Sequence, residues 1–368
     1  MKLALVHDWL NQRGGAEDVL EALVALYPQS PLITGLYAPD LMPDFYRAWD
    51  IRTLWIDKLP GIHAHHQRYL PVYPLAWGGL QLSGYDVVLS NKSGFCHGLN
   101  VDANTIHICY CLAPTRYVWE LGQYIAREGL SKPVELALRP LIAWLKRWDY
   151  YAAHQVDHMI AISRDIQARI RTYYDRESAI IYPPVETERF QPAARADDYF
   201  LVVSRLIPYK RIDLAVQAAT RLGVRLLVGG KGRDLERLQA MAGPTVEFIG
   251  FVPDDQLPDL MSRCRAFIFP GLEDFGITPV QAQAAGRPVI AYGAGGALDT
   301  VIPGVTGEHF ASLTVESLMD VMQAFDPARY DVRTIRQHAE GFDTRHFNRQ
   351  ITAYVEKAFD QGPSLRPR

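Results

Sequence analysis

The stretch AFIFPGLEDFGITPVQAQAAGRPVIA, residues 266–291, determines the fold class that we predict. It begins with four apolar residues and passes through a polar loop that contains glycine. A helical pattern follows over residues 278–285, and the stretch ends in a second apolar run, residues 288–291. Short apolar runs on either side of a helix are typical of parallel strands that are buried on both faces. The stretch therefore predicts a strand–helix–strand unit of an α/β protein.

The same alternation extends outward in both directions along the chain. In the second half we predict further strands at residues 199–203, 225–228 and 246–249, with helices at 212–222 and 257–263. In the first half we predict strands at residues 3–6, 86–90, 105–110, 156–162 and 179–182, a helix at 16–26 and another that Ser163 caps. Pro183-Pro184 and the polar segment 186–198 separate the two series. We therefore predict two doubly wound domains.

Composition excludes several classes of protein. The 368 residues include 38 Lys and Arg against 41 Asp and Glu, so the net charge of −3 gives no electrostatic case for nucleic-acid binding. No run of apolar residues is long enough to span a membrane, and Asp8 interrupts the start of the chain too early for a secretory leader. Four scattered cysteines do not make a disulfide framework. We expect a reduced, cytoplasmic enzyme.

Glycines and cations follow the predicted strands at the ends where ligands bind in open parallel sheets. Gly14 and Gly15 precede the first helix, where they suit either an anion or a flexible turn. Arg205 and Lys210 follow the first strand of the second domain, where cations are disfavoured at a helix start unless an anion compensates. We expect them to neutralise a diphosphate.

Two further loops carry weaker or mixed signals. The run Gly229-Gly230-Lys231-Gly232 resembles a phosphate loop, but such runs are also common turns. The loop Glu273-Asp274-Phe275-Gly276 opens a helix near Thr278, where free N–H groups can hold a phosphate and Glu273 can accept sugar hydroxyls. An acidic helix cap is the alternative.

Metal ligands are not arranged in any recognisable pattern. His63, His65 and His66 are close in sequence, but we expect a solvated or packed cluster because no partner ligands flank them. Cys109 and Cys111 are expected to be small core residues. No Asp-x-Asp pair is present to hold a divalent ion, so we predict no metal and no cofactor.

Several spaced motifs together resemble glycosyltransferase family 4. They are Glu273-Asp274-Phe275-Gly276 with Gln281, the run 284–291, Ser204-Arg205-Leu206 with Lys210-Arg211, the run 246–252, Gly14-Gly15-Ala16-Glu17, and the segment 293–298. The resemblance covers nearly the whole chain. It implies a GT-B architecture, which is two Rossmann-like domains that face each other across a cleft, with the last helix crossing back to the first domain. The domains would be residues 1–185 with about 345–368, which bind the acceptor, and 195–344, which bind the donor.

The resemblance also implies an activity and roles for individual residues. Such enzymes transfer a sugar from a nucleoside diphosphate donor with retention of configuration and without metal. Arg205 and Lys210 would bind the diphosphate and stabilise the leaving group, and Glu273 would hold donor-sugar hydroxyls. The other implied donor-binding residues are Gly14, Gly15, Gly230, Phe251, Val252, Phe275, Gly276, Ile277, Thr278 and Gln281.

Two positions depart from the family pattern. The family places a second Glu where this chain has Gln281, so we expect weaker donor affinity through the loss of a charged contact to ribose. Many members place a His where this chain has Leu112, so no catalytic His is carried over. Arg116, Tyr117 and Trp119 are the candidate acceptor contacts. His97 could substitute for the missing His in space, but we favour a structural role for it.

The best-supported function is a transferase that moves mannose from GDP-mannose to a glycan or lipid-linked glycan of the cell surface. UDP- and dTDP-sugars stay open as donors, and a nucleotide-sugar 2-epimerase and a non-catalytic nucleotide-sugar-binding subunit stay open as other classes. All seven Trp and 14 of the 19 Tyr lie before position 185. Because Trp and Tyr suit membrane interfaces, the segment 138–151 is either a membrane-surface helix or a core-packing helix. The first alternative would place the protein on the inner face of the plasma membrane.

Overall fold

The computed structural model describes residues 1–120 and 132–363. The chain divides into two compact units. The first comprises residues 1–184 together with 347–368, and the second comprises residues 185–346. Each unit is built on its own parallel sheet.

The sheet of the first unit has seven strands in the order β3-β2-β1-β5-β7-β8-β9, and every neighbouring pair is parallel. A separate two-stranded sheet pairs β4 with β6. The strands are β1 (Leu3–His7), β2 (Leu32–Thr34), β3 (Ile51–Thr53), β4 (Gln81–Leu82), β5 (Val87–Lys92), β6 (Asn100–Val101), β7 (Ile106–Cys111), β8 (His158–Ala161) and β9 (Ala179–Ile180). All residues of β1, β5 and β7 are buried, as their continuous apolar runs predict.

The helices of the first unit lie between these strands. They are α1 (Gly15–Leu26), α2 (Ile62–His65), α3 (Tyr73–Gly78), α4 (Arg116–Trp119), α5 (Lys132–Gln155) and α6 (Arg164–Tyr174). The Ser163 cap is confirmed, because its Oγ accepts the Ile166 N–H at 3.1 Å. Residues 41–82 form short 3₁₀ turns, α2 and α3, together with the strands β3 and β4.

The sheet of the second unit has six parallel strands in the order β12-β11-β10-β13-β14-β15. They are β10 (Phe200–Val203), β11 (Leu226–Gly229), β12 (Val246–Gly250), β13 (Ala266–Phe269), β14 (Val289–Tyr292) and β15 (Gly307–Phe310). The helices are α7 (Ile212–Leu222), α8 (Leu235–Ala240), α9 (Leu257–Arg263), α10 (Ile277–Ala284), α11 (Ala297–Thr300), α12 (Val315–Ala324) and α13 (Val332–Glu340). The buried residues of α7 and α12 pack on one face of this sheet in a single core.

The last helix, α14 (Thr344–Gln361), buries Phe347, Ile351 and Val355. The Phe347 ring lies edge-on to Tyr110 of β7, with 5.7 Å between the ring centroids. Residues from 347 onward therefore complete the core of the first unit, although the whole second unit separates them from it in sequence.

A membrane-spanning helix was sought among the described residues. None of the helices there is both long enough and apolar enough to cross a bilayer.

Candidate active site

The residues predicted to bind the diphosphate and the donor sugar follow two neighbouring strands. β10 and β13 pair in parallel register, so the loops that leave their carboxyl ends meet at one edge of the sheet. The first loop contains Arg205 and Lys210, and the second contains Glu273. The sequence placed these residues on separate loops, and the fold brings Lys210 and Glu273 together.

Lys210 and Glu273 form a direct ion pair. Lys210 Nζ lies 2.5 Å from Glu273 Oε1, and the two side chains are 18% and 14% exposed. Glu273 Oε1 is buried and accepts no well-aligned hydrogen bond, so the contact is one of charge rather than a directed bond. A cavity of about 10 Å³ lies beside the pair, between β10 and β13. Low exposure strengthens the attraction, and it also makes either charge costly to leave alone.

Tyr209 positions both cations of this loop, and the sequence analysis did not single it out. The exposed Arg205 donates from Nη2 to Tyr209 Oη at 3.3 Å. Lys210 Nζ lies 5.3 Å from the centroid of the same ring, within the range of a cation–π contact. One aromatic ring thus holds a guanidinium at its hydroxyl and an ammonium at its face. In the sequence, the signal that could have identified Tyr209 is the position of an aromatic residue between two cations.

The loop that bears Glu273 is shaped by two glycines from the loop after β14. Gly296 donates its N–H to Glu273 O at 2.8 Å. A Cβ on Gly295 would collide with Glu273 O, and one on Gly296 with the backbone of Phe275. These positions admit glycine alone without moving the Glu273 loop. The resemblance included the segment 293–298, and this packing is the physical reason for glycine there.

The helix predicted near Thr278 begins one residue earlier. Gly276 precedes α10 with a φ of 102°, in the left-handed region that favours glycine. Phe275 is buried against Phe342, whereas Ile277, Thr278 and Gln281 are half-buried on the first turns of α10. Free N–H groups at this helix start can contribute to anion binding together with the cations of the neighbouring loop.

Gly230 has a packing role that the sequence signal left open. Its φ is 133°, and a Cβ there would collide with Ser204 O. The run of glycines therefore lets β11 end directly against the loop that carries Arg205. Close packing alone accounts for Gly230, so this structure gives no separate sign of a phosphate loop.

Phe251 and Val252, predicted to line the base pocket, follow β12. Phe251 is 62% exposed, and Lys231 Nζ lies 5.5 Å from its ring centroid. Val252 is half-buried, and it faces Gly229 closely enough that a Cβ there would collide with its Cγ2. An exposed aromatic ring beside a cation can stack on a nucleobase.

In the first unit, Gly14 and Gly15 lie exposed at the start of α1. The carboxylate of Asp8, which is fully buried after β1, accepts the backbone N–H groups of Ser93, Gly94, Phe95 and Cys96 at 2.6–2.8 Å. Asp8 therefore fixes the loop after β5, and the sequence analysis treated it only as a charge near the N-terminus.

Lys92 and Asp149 are buried opposite charges of the same unit. Both are fully buried. Lys92 Nζ donates to Tyr174 Oη at 2.8 Å, and that hydroxyl donates to Asp149 Oδ2 at 2.7 Å. Thr115 Oγ1 forms a parallel link, 3.2 Å from Lys92 Nζ and 2.8 Å from Asp149 Oδ1. Burial opposes ionisation of Lys92, but the Asp149 carboxylate holds the pKa of Lys92 above its ordinary value.

His97 and Trp119 belong to the same network, which corrects one prediction. His97 is fully buried, with Nε2 3.4 Å from Asp149 O, so it is not available to contact an acceptor. Burial and the Lys92 charge lower the pKa of His97 to about 4. Trp119 Nε1 donates to Asp149 Oδ2 at 2.6 Å, and its half-exposed ring stacks on Tyr173. Arg116 and Tyr117 are half-exposed beside it.

Helix α5 contains the predicted segment 138–151, and over these residues it has a buried face and an exposed face. Leu145 and Asp149 are buried, so one face packs in the core. The opposite face exposes Trp144, Tyr150 and Tyr151 at 41–55%, with Arg147 among them. Exposed aromatic and basic residues on one helix face are the composition of an interfacial helix.

Metal binding was examined among the residues that the structure describes. Within those ranges, no three His, Cys, Asp or Glu side chains lie together as a set of metal ligands. Cys109 and Cys111 are buried and reduced, as small core residues are.

With this geometry established, the chain was compared with known proteins. Residues 184–325 match the family model for glycosyl transferases group 1. The match contains Arg205, Lys210 and Glu273. The chain has the GT-B fold. Sucrose-phosphate synthase from Thermosynechococcus elongatus superimposes with a TM-score of 0.72 at 19% identity, over 98% of this chain and all of that one. The Anabaena protein HepE in complex with UDP-glucose gives 0.69 at 17% identity, over 97% and 100%.

Curated relatives are similar over part of their length. A GDP-mannose-dependent alpha-(1-6)-phosphatidylinositol monomannoside mannosyltransferase of Mycolicibacterium smegmatis is 32% identical over 197 residues, 45% of this chain and 52% of the relative. A D-inositol 3-phosphate glycosyltransferase of Mycobacterium avium is 28% identical over 235 residues, 55% of each chain. The chain thus spans about half the length of the curated relatives it matches. The GT-B fold confirms the predicted α/β architecture of two Rossmann-like domains.

Proposed function

We propose that this chain is a glycosyltransferase that moves a sugar from a nucleoside diphosphate donor to a glycan or lipid-linked glycan. The observation that carries the proposal is the convergence of Lys210 and Glu273 at the ends of β10 and β13, with Arg205 on the same loop. Cations at this edge suit a diphosphate, and a carboxylate beside them suits sugar hydroxyls. The family match over residues 184–325 supports the same assignment. We assign the donor to the second unit and the acceptor to the first.

The proposed reaction needs no acid or base beyond the donor itself. The bond between the anomeric carbon and the leaving phosphate oxygen breaks, and the acceptor hydroxyl oxygen bonds to that carbon on the same face. The acceptor's proton passes to a phosphate oxygen of the leaving diphosphate, so the configuration is retained. Arg205 and Lys210 stabilise the negative charge that develops on the diphosphate, and this role replaces a metal ion. Glu273 holds donor-sugar hydroxyls after its pairing with Lys210 is exchanged for the ligand.

For the donor we propose GDP-mannose, with UDP- and dTDP-sugars as the alternatives. Support for mannose comes from the Mycolicibacterium smegmatis relative, whose name specifies GDP-mannose. UDP-glucose is bound in the Anabaena structure, so the fold also accommodates a uridine donor. Gln281, half-buried on α10, would meet the donor ribose through a neutral amide.

For the acceptor we propose a glycan carried at the inner surface of the plasma membrane, contacted through the exposed aromatic and basic face of α5. Trp144, Tyr151 and Arg147 would sit at the level of the lipid headgroups. Arg116, Tyr117 and Trp119 are the proposed acceptor contacts, with Trp119 already fixed by Asp149.

The test is a transfer assay that combines a donor panel with a detergent-solubilised polyprenyl-diphosphate-linked sugar. GDP-mannose, UDP-glucose, UDP-N-acetylglucosamine and dTDP-rhamnose are compared, each with and without EDTA. We expect a new glycosidic bond of retained configuration that EDTA does not suppress. Epimerised donor without transfer, or nucleotide binding without turnover, would overturn the proposal. Loss of transfer in EDTA that added Mg²⁺ restores would overturn metal independence alone.

A further inference from the structure

A second polar cleft lies in the first unit, away from the residues assigned above. Its volume is about 510 Å³, within the range of sites that hold small ligands. Two segments form it. One is the loop after β1, through Asn11 and Gln12, and the other is the segment around α2, through residues 63–68, with Leu41 at the rim. The segment around α2 includes the three histidines for which the sequence gave no function.

The lining is rich in hydrogen-bonding groups and carries positive charge. Its polar side chains are two glutamines, an asparagine, three histidines and an arginine, and no carboxylate is among the residues that line it. Arg68 and His65 are exposed, and within residues 1–120 and 132–363 neither forms an ion pair. Asp57 lies behind the lining and pairs with His63, whose Nε2 is 2.8 Å from Asp57 Oδ1. Arg68 is therefore a full cation that no carboxylate in the lining compensates.

Two buried polar atoms of the lining residues have no partner. His66 is 8% exposed, and its Nδ1 makes no hydrogen bond, nor does the buried Oδ1 of Asn11. Asn11 is held from its other end, where Nδ2 donates to His63 O at 3.0 Å. Burial lowers the pKa of His66, so its ring is neutral and can donate or accept at either nitrogen. Buried polar groups are normally paired, so these two atoms are hydrogen-bonding capacity that the described residues leave unused.

We propose that this cleft binds a glycosyl phosphate. Arg68 and His65 would hold the phosphate, because guanidinium groups favour phosphate oxygens. The amides and the neutral His66 would meet the sugar hydroxyls, which supply both donors and acceptors. The exposed Leu41 at the rim would contact the apolar face of the ring. The proposal rests on the proposed function, because the phosphate would belong to the acceptor, either as a free sugar phosphate or as the linkage of a lipid-carried glycan.

A metal ion and a neutral sugar are the competing occupants. No set of metal ligands is found among the described residues, this cleft included. A neutral sugar would leave the Arg68 charge without a function. Binding of a neutral sugar is therefore an outcome of the test and not the occupant that we propose.

The test is calorimetric titration of the full chain with α-mannose 1-phosphate, methyl α-mannoside and inorganic phosphate. The titrations use an Arg205→Ala/Lys210→Ala variant, so that the proposed donor site cannot account for phosphate binding. Arg68→Gln removes the charge from the cleft. Arg47→Gln is the matched control, because Arg47 is an equally exposed arginine of the same unit that lies outside the cleft. Both substitutions are on the surface, so the fold is preserved.

We expect α-mannose 1-phosphate to bind the double variant, and Arg68→Gln to weaken binding by about tenfold or more while Arg47→Gln leaves it unchanged. Equal binding of methyl α-mannoside would overturn the phosphate assignment, and equal effects of the two arginine variants would overturn the site. Competition by a solubilised polyprenyl-diphosphate-linked sugar would identify the lipid-carried source, and its absence the free sugar phosphate. Binding of GDP or UDP to the unmodified chain is measured separately, so failure of the cleft and failure of the proposed transferase are distinguishable.

Discussion

Both units place charged residues at the carboxyl ends of neighbouring parallel strands, but they use them in opposite ways. In the first unit Asp8 and Lys92 are fully buried, as is Asp149 of α5, and their charged atoms are hydrogen-bonded to backbone groups, hydroxyls or the Trp119 indole. In the second unit Lys210 and Glu273 are partly exposed and meet only as an ion pair. The first set has no capacity left for a ligand, whereas the second can exchange its contact for one.

The comparison indicates what separates a structural cluster from a reactive one within a single architecture. Burial with full pairing stabilises one loop conformation, because every alternative leaves a charge unsatisfied. Partial exposure with few partners costs less to rearrange, and a diphosphate or a sugar can then replace the ion pair.

Removal of Asp149 should have the largest effect, and it should act on stability. Asp149→Ala leaves the buried Lys92 without its compensating charge and deprives the Trp119 and Tyr174 donors of their acceptor. We expect a loss of about 3–5 kcal/mol in the free energy of unfolding, measured by urea denaturation. Glu316→Ala, which removes an exposed carboxylate paired with Arg221, is the control and should change stability very little. Equal stability of the two variants would contradict the structural role.

Removal of Lys210 should act chiefly on rate, because the partly exposed pair with Glu273 costs less stability to break than the fully buried network of Asp149. Lys210→Ala should lower kcat by about 10²–10³ through lost stabilisation of the leaving diphosphate, and Arg205→Ala should have a similar effect. Arg221→Ala, at the opposite end of α7, is the matched control. Steady-state transfer rates and urea midpoints are measured on the same preparations. Unchanged turnover in either variant would refute the assignment of these cations to the diphosphate. A large shift in the urea midpoint would show that the Lys210–Glu273 pair has a structural role.

The sequence predicted the second unit more completely than the first, for physical reasons. Most of its strands are apolar runs between helices, so β13 and α9 were located residue for residue, whereas β15, with the sequence GEHF, was missed because it is not an apolar run. β2 and β3 were missed because each has three residues, and β3 is an edge strand that is largely exposed. The sequence also placed Lys210 and Glu273 on ligand-facing loops, but their direct pairing depends on the register of β10 and β13.

The buried network of the first unit was beyond sequence reasoning. Lys92 and Asp149 are 57 positions apart by their residue numbers, and both belong to residue types that are almost always on the surface. His97 was assigned to the acceptor as an alternative because its sequence position followed a strand. The closure of the network around it depends on α5 and α6 packing together, which no local pattern encodes.

Acid should weaken the first unit through His97. Its pKa is about 4 in the folded chain, against the ordinary value of 6.5, so the unfolded chain binds a proton over this interval and the folded chain does not. Stability is therefore complete above about pH 6.5 and falls as the pH is lowered toward about 4. His97→Gln should reduce the difference between unfolding free energies at about pH 7 and about pH 5. If this difference in the variant is as large as in the unmodified chain, His97 is excluded as a source of the pH dependence of stability. His65→Gln, which alters an exposed ring, is the control.

The substitution Gln281→Glu should have the smallest effect, and it tests how the second unit meets the donor. A carboxylate should bond the ribose hydroxyls more strongly than the amide does, so we expect donor affinity to rise by about two- to fivefold. The measurement is calorimetric titration with the preferred nucleotide, and Gln239→Glu on α8 serves as the control. Weaker binding would show that the amide is matched to a feature of this nucleotide.

The return of the last helix to the first unit bears on how the chain is made. Residues 1–184 are synthesised before residues 185–346. The ring of Tyr110 therefore has no Phe347 to pack against until the second unit has been synthesised. By then all residues of the sheet and core of the second unit have been synthesised, so this unit can fold before the first. The first unit must wait, with part of its core open, until the residues from 347 onward have been synthesised. Arrest of synthesis before residue 347 would thus leave a finished second unit tethered to an unfinished first one.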